Sequence, residues 1–231
     1  MNDTKKKRSS GNRDLTVKVK TAKGRKLSST RWLQRQLNDP FVAAAKRDGY
    51  RSRAAYKLIE IDDKFNFLKS GATVIDLGCA PGSWTQIAAQ RCQSEQKKGS
   101  VIGLDLLEIS PIPGATCLVG DFLEEETFQE LLGNIGEQKA NVVLSDMAPA
   151  AMGHKQTDHL RIMGLCEAAF EFACDILAHD GAFLAKVLQG GTENALLAEM
   201  KRRFASVRHI KPKASRADSS ELYVLALGYH G

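Results

Sequence analysis

Over the last two-thirds of the chain, apolar residues gather in short runs. Between the runs lie longer segments in which apolar residues recur every three to four positions. The runs at 73–77, 101–105, 115–119, 141–145, 182–188 and 222–228 predict strands, and the segments near 84–93, 124–133, 159–179 and 192–204 predict helices. Alternation of this kind predicts an α/β fold: a mostly parallel sheet covered by helices on both faces. The last run, Glu221 to Tyr229, follows a basic loop from Lys211 to Asp218 and no crossover helix, so its strand is expected to run antiparallel. Upstream, Thr30 to Asn38 reads as a short helix stopped by Pro40. A further helix includes Ala54, Ala55, Leu58 and Ile59 on one side. Met1 to about Ser29 shows neither period and is expected to lack structure of its own. The division expected is therefore a tail over 1–29 and one domain over 30–231.

The strand at 73–77 runs into Gly78-Cys79-Ala80-Pro81-Gly82, and Ser83-Trp84 then opens a helix. A strand, a glycine turn and a helix form the ligand-binding opening of a doubly wound sheet, where glycine lets the backbone come close to the ligand. Pro81 stands where a phosphate loop would present an amide, and proline has none to donate. A nucleoside ligand without phosphates fits better, and S-adenosylmethionine is the common one.

Charge divides the chain. Residues 1–35 hold twelve Lys/Arg against Asp3 and Asp14, whereas the whole chain is only +6, so the remainder is acidic on balance. A basic tail of this kind binds polyanions by releasing their counterions. Lys46, Arg47, Arg51 and Arg53, interleaved with Tyr50 and Tyr56, form a second basic patch suited to a nucleic-acid backbone. Lys201, Arg202, Arg203, Arg208, Lys211 and Lys213 offer a further rim. No apolar run approaches the ~20 residues of a membrane span, and the first residues lack a signal-peptide core. A cytoplasmic, monomeric protein is expected. The five cysteines lack paired metal spacing and are expected to be free thiols, with no metal site.

Polar residues interrupt the apolar strands near their ends. Asp105 ends the second strand, where an acid can accept both hydroxyls of a ribose. Asp121, beside Phe122, closes the third and could read an adenine amino group; Asp146 stands at the mouth of the fourth. Lys186 lies inside an oily strand, where an ammonium needs a partner, a lowered pKa or a route to solvent. If the last strand is antiparallel, its first residue, Glu221, arrives at the same edge as these strand ends.

Five segments together resemble the RrmJ/FtsJ family of ribosomal RNA ribose 2′-O-methyltransferases. They are Ser52–Leu58, Asp76–Trp84, Leu144–Pro149, Lys186–Gly190 and Ser219–Tyr223, in the family's order across roughly residues 30–228. The resemblance implies a Rossmann-like S-adenosylmethionine-dependent methyltransferase fold with a seven-stranded sheet. It places a catalytic tetrad on Lys57, Asp146, Lys186 and Glu221, with Lys186 as proton acceptor. It places cofactor contacts on Gly82, Trp84, Asp105, Asp121 and Asp146. The substrate it implies is a uridine of large-subunit ribosomal RNA within the ribosomal particle. The long basic tail departs from the compact bacterial pattern, so no role is inherited for it. Two other classes stay open at this point: a nicotinamide-dependent dehydrogenase, against which Ala80-Pro81 argues, and a non-catalytic RNA-binding assembly factor, which would have no use for the tetrad. Transfer RNA or a messenger cap are the other RNA targets open to such an enzyme.

Overall fold

The computed structural model describes residues 17–19, 24, 26–136, 138–149, 153–189 and 194–231. Most of the basic tail, and Gly190 of the fourth resemblance segment, lie outside the described residues.

Seven strands form one sheet: β1 (Thr73–Leu77), β2 (Ser100–Asp105), β3 (Thr116–Val119), β4 (Ala140–Ser145), β5 (Leu177–Leu188), β6 (Phe204–Ile210) and β7 (Glu221–Tyr229). Their order is β3-β2-β1-β4-β5-β7-β6. β1 pairs in parallel with both β2 and β4, and all five of its residues are buried, which explains an apolar run broken only by Asp76. β7 slots between β5 and β6 and runs antiparallel to both, as its approach through a loop predicts. The register sets Lys186 opposite Tyr223 and Leu188 opposite Glu221. The start of β7 therefore lies at the carboxyl edge of the parallel strands, where the ligand of such a sheet sits.

Helices cover both faces. On one, α3 (Ala55–Phe65) and α4 (Ser83–Cys92) bury Leu58, Ile61, Trp84 and Ile87 against Val74, Leu144, Leu184 and Tyr223. On the other, α5 (Glu125–Ile135), α6 (Lys155–Ile176) and α7 (Asn194–Arg203) bury Leu131, Phe170 and Met200 against Ile75, Val143 and Phe183. The α3 helix ends at Asn66, whose backbone is left-handed, and the buried Asp62 carboxylate accepts the amides of Phe67 and Leu68 at 3.0 and 2.9 Å. That cap turns the chain towards β1.

Three details differ from the sequence expectation. A helix α1 runs over Leu27–Leu37, starting three residues before the expected domain boundary. Val17 and Val19 bond to its Asn38 and Gln34 side chains, so part of the tail lies along it. Pro40 does not merely stop that helix. It is the first residue of α2 (Pro40–Asp48), where its missing N–H costs nothing, and Asp39 caps the helix by accepting Phe41 N at 3.0 Å. The strand β6 is the third difference. Leu196, Met200 and Phe204 recur every four residues, and that spacing hides the point where helix α7 gives way to a half-exposed edge strand. Among the described residues no helix is long and apolar enough to cross a membrane.

Candidate active site

The turn from β1 into α4 explains its glycines. Gly78 and Gly82 have φ of +73° and +104°, in the left-handed region. A Cβ on Gly78 would lie 2.4 Å from Met147 Cγ, and one on Gly82 would lie 2.6 Å from Ile112 Cδ1. The amides of Gly78 and Cys79 donate to Leu104 O, and Ala80 N donates to Asp105 Oδ2 at 2.8 Å. With Pro81 lacking a donor, most of the turn's amides are spent inside the protein. No amide cradle for a pyrophosphate remains.

Above this turn opens a cavity of about 590 Å³, lined among others by Gly78, Ala80, Asp105, Asp121, Phe122, Asp146 and Met147. Its size suits a nucleoside joined to an amino acid. Asp105 Oδ1 accepts Leu107 N at 2.9 Å and Asp121 Oδ1 accepts Leu123 N at 3.0 Å, so both carboxylates are held in place with lone pairs left for a ligand. Leu106, Leu107 and Leu123 stand exposed at the rim, where apolar atoms could cover a flat ring. The fit to S-adenosylmethionine is therefore good: acids for hydroxyl and amino groups, an apolar rim, and no phosphate cradle.

Below the cavity, Asp76 is fully buried. One of its oxygens accepts Thr85 Oγ1–H at 2.6 Å, and Oδ1 has no partner. Burial pushes its pKa up to about 7, against the opposing Thr85 bond, with Asp146 adding to the rise. A carboxyl raised in the folded state binds a proton that the unfolded chain releases. Its contribution to stability is full below its ordinary value near 4 and is lost as pH rises through about 7. In the donor-free protein, Asp76→Asn is expected to flatten that part of the curve of unfolding free energy against pH, measured by urea titration from pH 4 to pH 8. An unchanged slope would show that Asp76 is not the group responsible.

Beside the cavity, four ionisable residues from four elements come together. Lys186 Nζ, from β5, lies 2.7 Å from Asp146 Oδ1 and donates to Asp146 O at 2.7 Å. Lys57 Nζ, from α3, donates to Glu221 Oε2 at 2.8 Å and lies 2.8 Å from Oε1. Tyr223 joins the two pairs. Its hydroxyl donates to Asp146 Oδ1 at 2.8 Å and accepts from Lys57 Nζ at 3.0 Å. The result is one unbroken chain of hydrogen bonds: Glu221, Lys57, Tyr223, Asp146, Lys186. Burial pushes the Tyr223 phenol well up, and the carboxylates of Asp146 and Glu221 add to this, so it remains a donor. Burial pushes Asp146 up too. The ammonium groups of Lys186 and Lys57, with the bonds from Lys186 and Tyr223, outweigh it and hold the carboxyl below its usual range. The site thus holds an ionised Asp146 between Lys186 and the hydroxyl of Tyr223.

Sequence reasoning missed Tyr223, although a signal existed. It lies two residues after Glu221, hence on the same face of the strand, and opposite Lys186 in register.

The expected cofactor contacts divide. Asp105, Asp121 and Asp146 line the cavity; Gly82 does not, and serves as the N-cap of α4 beside Ile112 and Arg51. Trp84 does not line it: its ring packs 5.5 Å from that of Tyr223, and Nε1 donates to Ala54 O at 2.9 Å. As the second residue of α4 it turns into the layer beneath α3, where it supports the tetrad from behind. The expected RNA contacts divide as well. Arg51 donates to the carbonyls of Pro81, Ser110 and Pro111, clamping the cavity loop. Arg53 pairs with Asp39 at 2.8 Å and donates to Ala214 O. Both guanidinium groups are thus engaged within the protein. Lys46 is exposed, and Arg47 is exposed with its nearest acid, Asp48, at 2.7 Å. The further rim is split too, because α7, with Lys201 and Arg202, covers the face of the sheet opposite to α3.

The cysteines are free; Cys79, Cys92 and Cys166 are buried and the other two half-buried. Among the described residues no cluster of His, Cys, Asp or Glu could hold a metal ion.

A model of the family described as FtsJ-like methyltransferase matches residues 50–229. This chain is an FtsJ-like methyltransferase. The ribosomal RNA large subunit methyltransferase E of Parvibaculum lavamentivorans is 61% identical, the match covering 96% of this chain and 89% of that protein. The protein of the same name from Cereibacter sphaeroides is 58% identical over 96% of this chain and 92% of its own. Among solved structures, a Plasmodium falciparum protein described as a ribosomal RNA methyltransferase superposes with a TM-score of 0.70 at 31% identity, over 79% of this chain and all of that one. As an FtsJ-like methyltransferase the chain takes its methyl group from S-adenosylmethionine, and the seven-stranded sheet with β7 antiparallel is the fold that serves this chemistry.

Proposed function

We propose that this chain methylates the ribose 2′-hydroxyl of a uridine in large-subunit ribosomal RNA, acting in the cytoplasm as a monomer on the assembled large-subunit particle. One observation carries the reading: the bonded chain from Glu221 through Lys57, Tyr223 and Asp146 to Lys186, opening beside a cavity suited to S-adenosylmethionine. S-adenosylmethionine supplies an electrophilic methyl whose leaving group is neutral. The protein's work is then alignment and management of one proton. Lys186 Nζ, having first given its own ammonium proton to solvent, receives the hydroxyl proton as the oxygen forms its new bond. The Asp146 carboxylate beside it balances the ammonium that results. Glu221 and Lys57 hold the substrate ribose, and Tyr223 keeps the two ion pairs in register. Asp105 and Asp121 hold the nucleoside of the donor, and the apolar rim shields the reacting atoms from water.

The names of the relatives support the choice of ribosomal RNA. Lys46, Arg47 and the basic tail supply phosphate contacts. Binding is then expected to weaken steeply with salt, with a log–log slope set by the number of phosphates neutralised. Measuring affinity for undermethylated large subunits between low and moderate potassium chloride checks this, and a flat response would remove the basic surface from the account. The deciding experiment maps 2′-O-methyl groups on the ribosomal RNA of cells with and without the protein. Loss of one uridine methyl in the large subunit, restored in vitro on isolated particles, is the expected result. An unchanged map with an altered transfer RNA or messenger cap would overturn it.

A further inference from the structure

The loop between β6 and β7 is held far more firmly than a connection needs to be. Its residues Pro212, Ala214 and Ser215 turn inward and are buried, while Lys213, Ala217 and Asp218 face out. Glu60, on α3, accepts the amides of Lys213 and Ala214 at 2.9 and 3.2 Å. Arg53 donates to Ala214 O. Arg216 reaches Gln36 and the buried Asp39 carboxylate, which Arg53 also grips. From within, Lys211 Nζ donates to Ser219 O at 2.8 Å. Surface connections are usually mobile and tolerant of change; this one is fixed backbone atom by backbone atom to the elements that carry Lys57.

Ser215 is what this fixing presents to the site. Only 6% exposed, its Oγ–H donates to Glu221 Oε1 at 2.7 Å. The Lys57 ammonium meets the same carboxylate at 2.8 Å from both oxygens. A glutamate side chain has three rotatable bonds, and one flexible lysine cannot define the plane of its carboxylate. A hydroxyl delivered by a fixed loop from a second direction can.

We propose that Ser215 is a positioning residue for methyl transfer, orienting the Glu221 carboxylate towards the substrate ribose. It acts through Glu221, touching neither RNA nor donor. This deepens the function proposed above and rests on the role given there to Glu221. A hydroxyl bond to a carboxylate is one of the stronger kinds, so its loss is felt mainly as misalignment in the transition state.

The test is a cycle of variants in the full chain: Ser215→Ala, Ser215→Thr, Glu221→Gln and Ser215→Ala with Glu221→Gln. Each is assayed at saturating S-adenosylmethionine on undermethylated large ribosomal subunits, with donor affinity measured separately by calorimetry. The expected result is a fall of about 10-fold in kcat for Ser215→Ala with donor affinity unchanged. Ser215→Thr, which keeps the hydroxyl, should retain most of the rate, and Ser215→Ala should cost nothing further once Glu221 is glutamine. Full activity in Ser215→Ala overturns the proposal, as does an independent, multiplying loss in the double variant. If Glu221→Gln itself is fully active, the role of Glu221 fails first and that of Ser215 falls with it. If Glu221→Gln is impaired and Ser215→Ala is not, only the inference about Ser215 is lost. Intact donor binding in each variant shows that it has folded.

Discussion

Lys186→Ala is expected to lower methyl transfer by about 10²–10⁴-fold, the range contributed by a positioned acid or base, while S-adenosylmethionine binds almost as before. The asymmetry follows from position. Lys186 Nζ is spent on Asp146 at 2.7 Å, and Lys186 is not among the residues lining the donor cavity. Lys186→Arg separates two ways of helping. A guanidinium keeps the positive charge beside Asp146 but cannot give up its proton at working pH. A variant with arginine that stays inactive marks the group as a proton acceptor. A variant that recovers much of the rate would show that the charge alone matters, steadying the oxygen as it develops charge. Single-turnover rates on undermethylated subunits, with calorimetry for the donor, give both readings. Loss of donor binding in either variant would refute the division of labour between cavity and tetrad.

The second large effect is expected at Gly78, and it has the opposite signature. Gly78→Ala places a methyl 2.4 Å from Met147 Cγ and 3.1 Å from Met147 Cα, in a left-handed backbone with φ of +73°. The side chain of Met147 could swing away, but its backbone follows β4 directly and cannot. The left-handed conformation itself costs about 1–2 kcal/mol for an alanine, and displacement of Met147 adds to it. Affinity for S-adenosylmethionine is therefore expected to fall by about 10- to 100-fold. Because the tetrad does not touch Gly78, the rate at saturating donor should stay close to that of the parent. Titration of the donor KM tests this; an unchanged KM would mean that the turn relaxes freely.

Much of this molecule could be read before any coordinates. Asp105, Asp121 and Asp146 were legible because each is an acid ending an oily run, and in a parallel sheet such ends share one edge. Glu221 was legible for a subtler reason: a loop in place of a crossover helix reverses a strand and brings its first residue to that edge. Tyr223 was not, because a tyrosine in a strand is ordinary; only the pairing with Lys186 gives it a role. Trp84 and Arg51 both turn inward. Both sit in segments where ligand contact is expected, yet one serves as packing and the other ties down carbonyls. Neighbourhood in sequence places a residue near a site, but its rotamer decides whether it faces in. For β6, an edge strand with one face in water has no continuous apolar run to announce it, and the helical spacing of the preceding residues extends across the boundary.

The late entry of β7 has a consequence for synthesis. A nascent chain that has emerged only as far as Ile210 already holds every residue lining the donor cavity, since the last of them is Leu165. It still lacks Glu221, Tyr223 and the strand that separates β5 from β6. On the roles proposed above, biosynthesis delivers the residues that hold a reactive methyl well before all those that transfer it, and competence arrives when the final segment inserts.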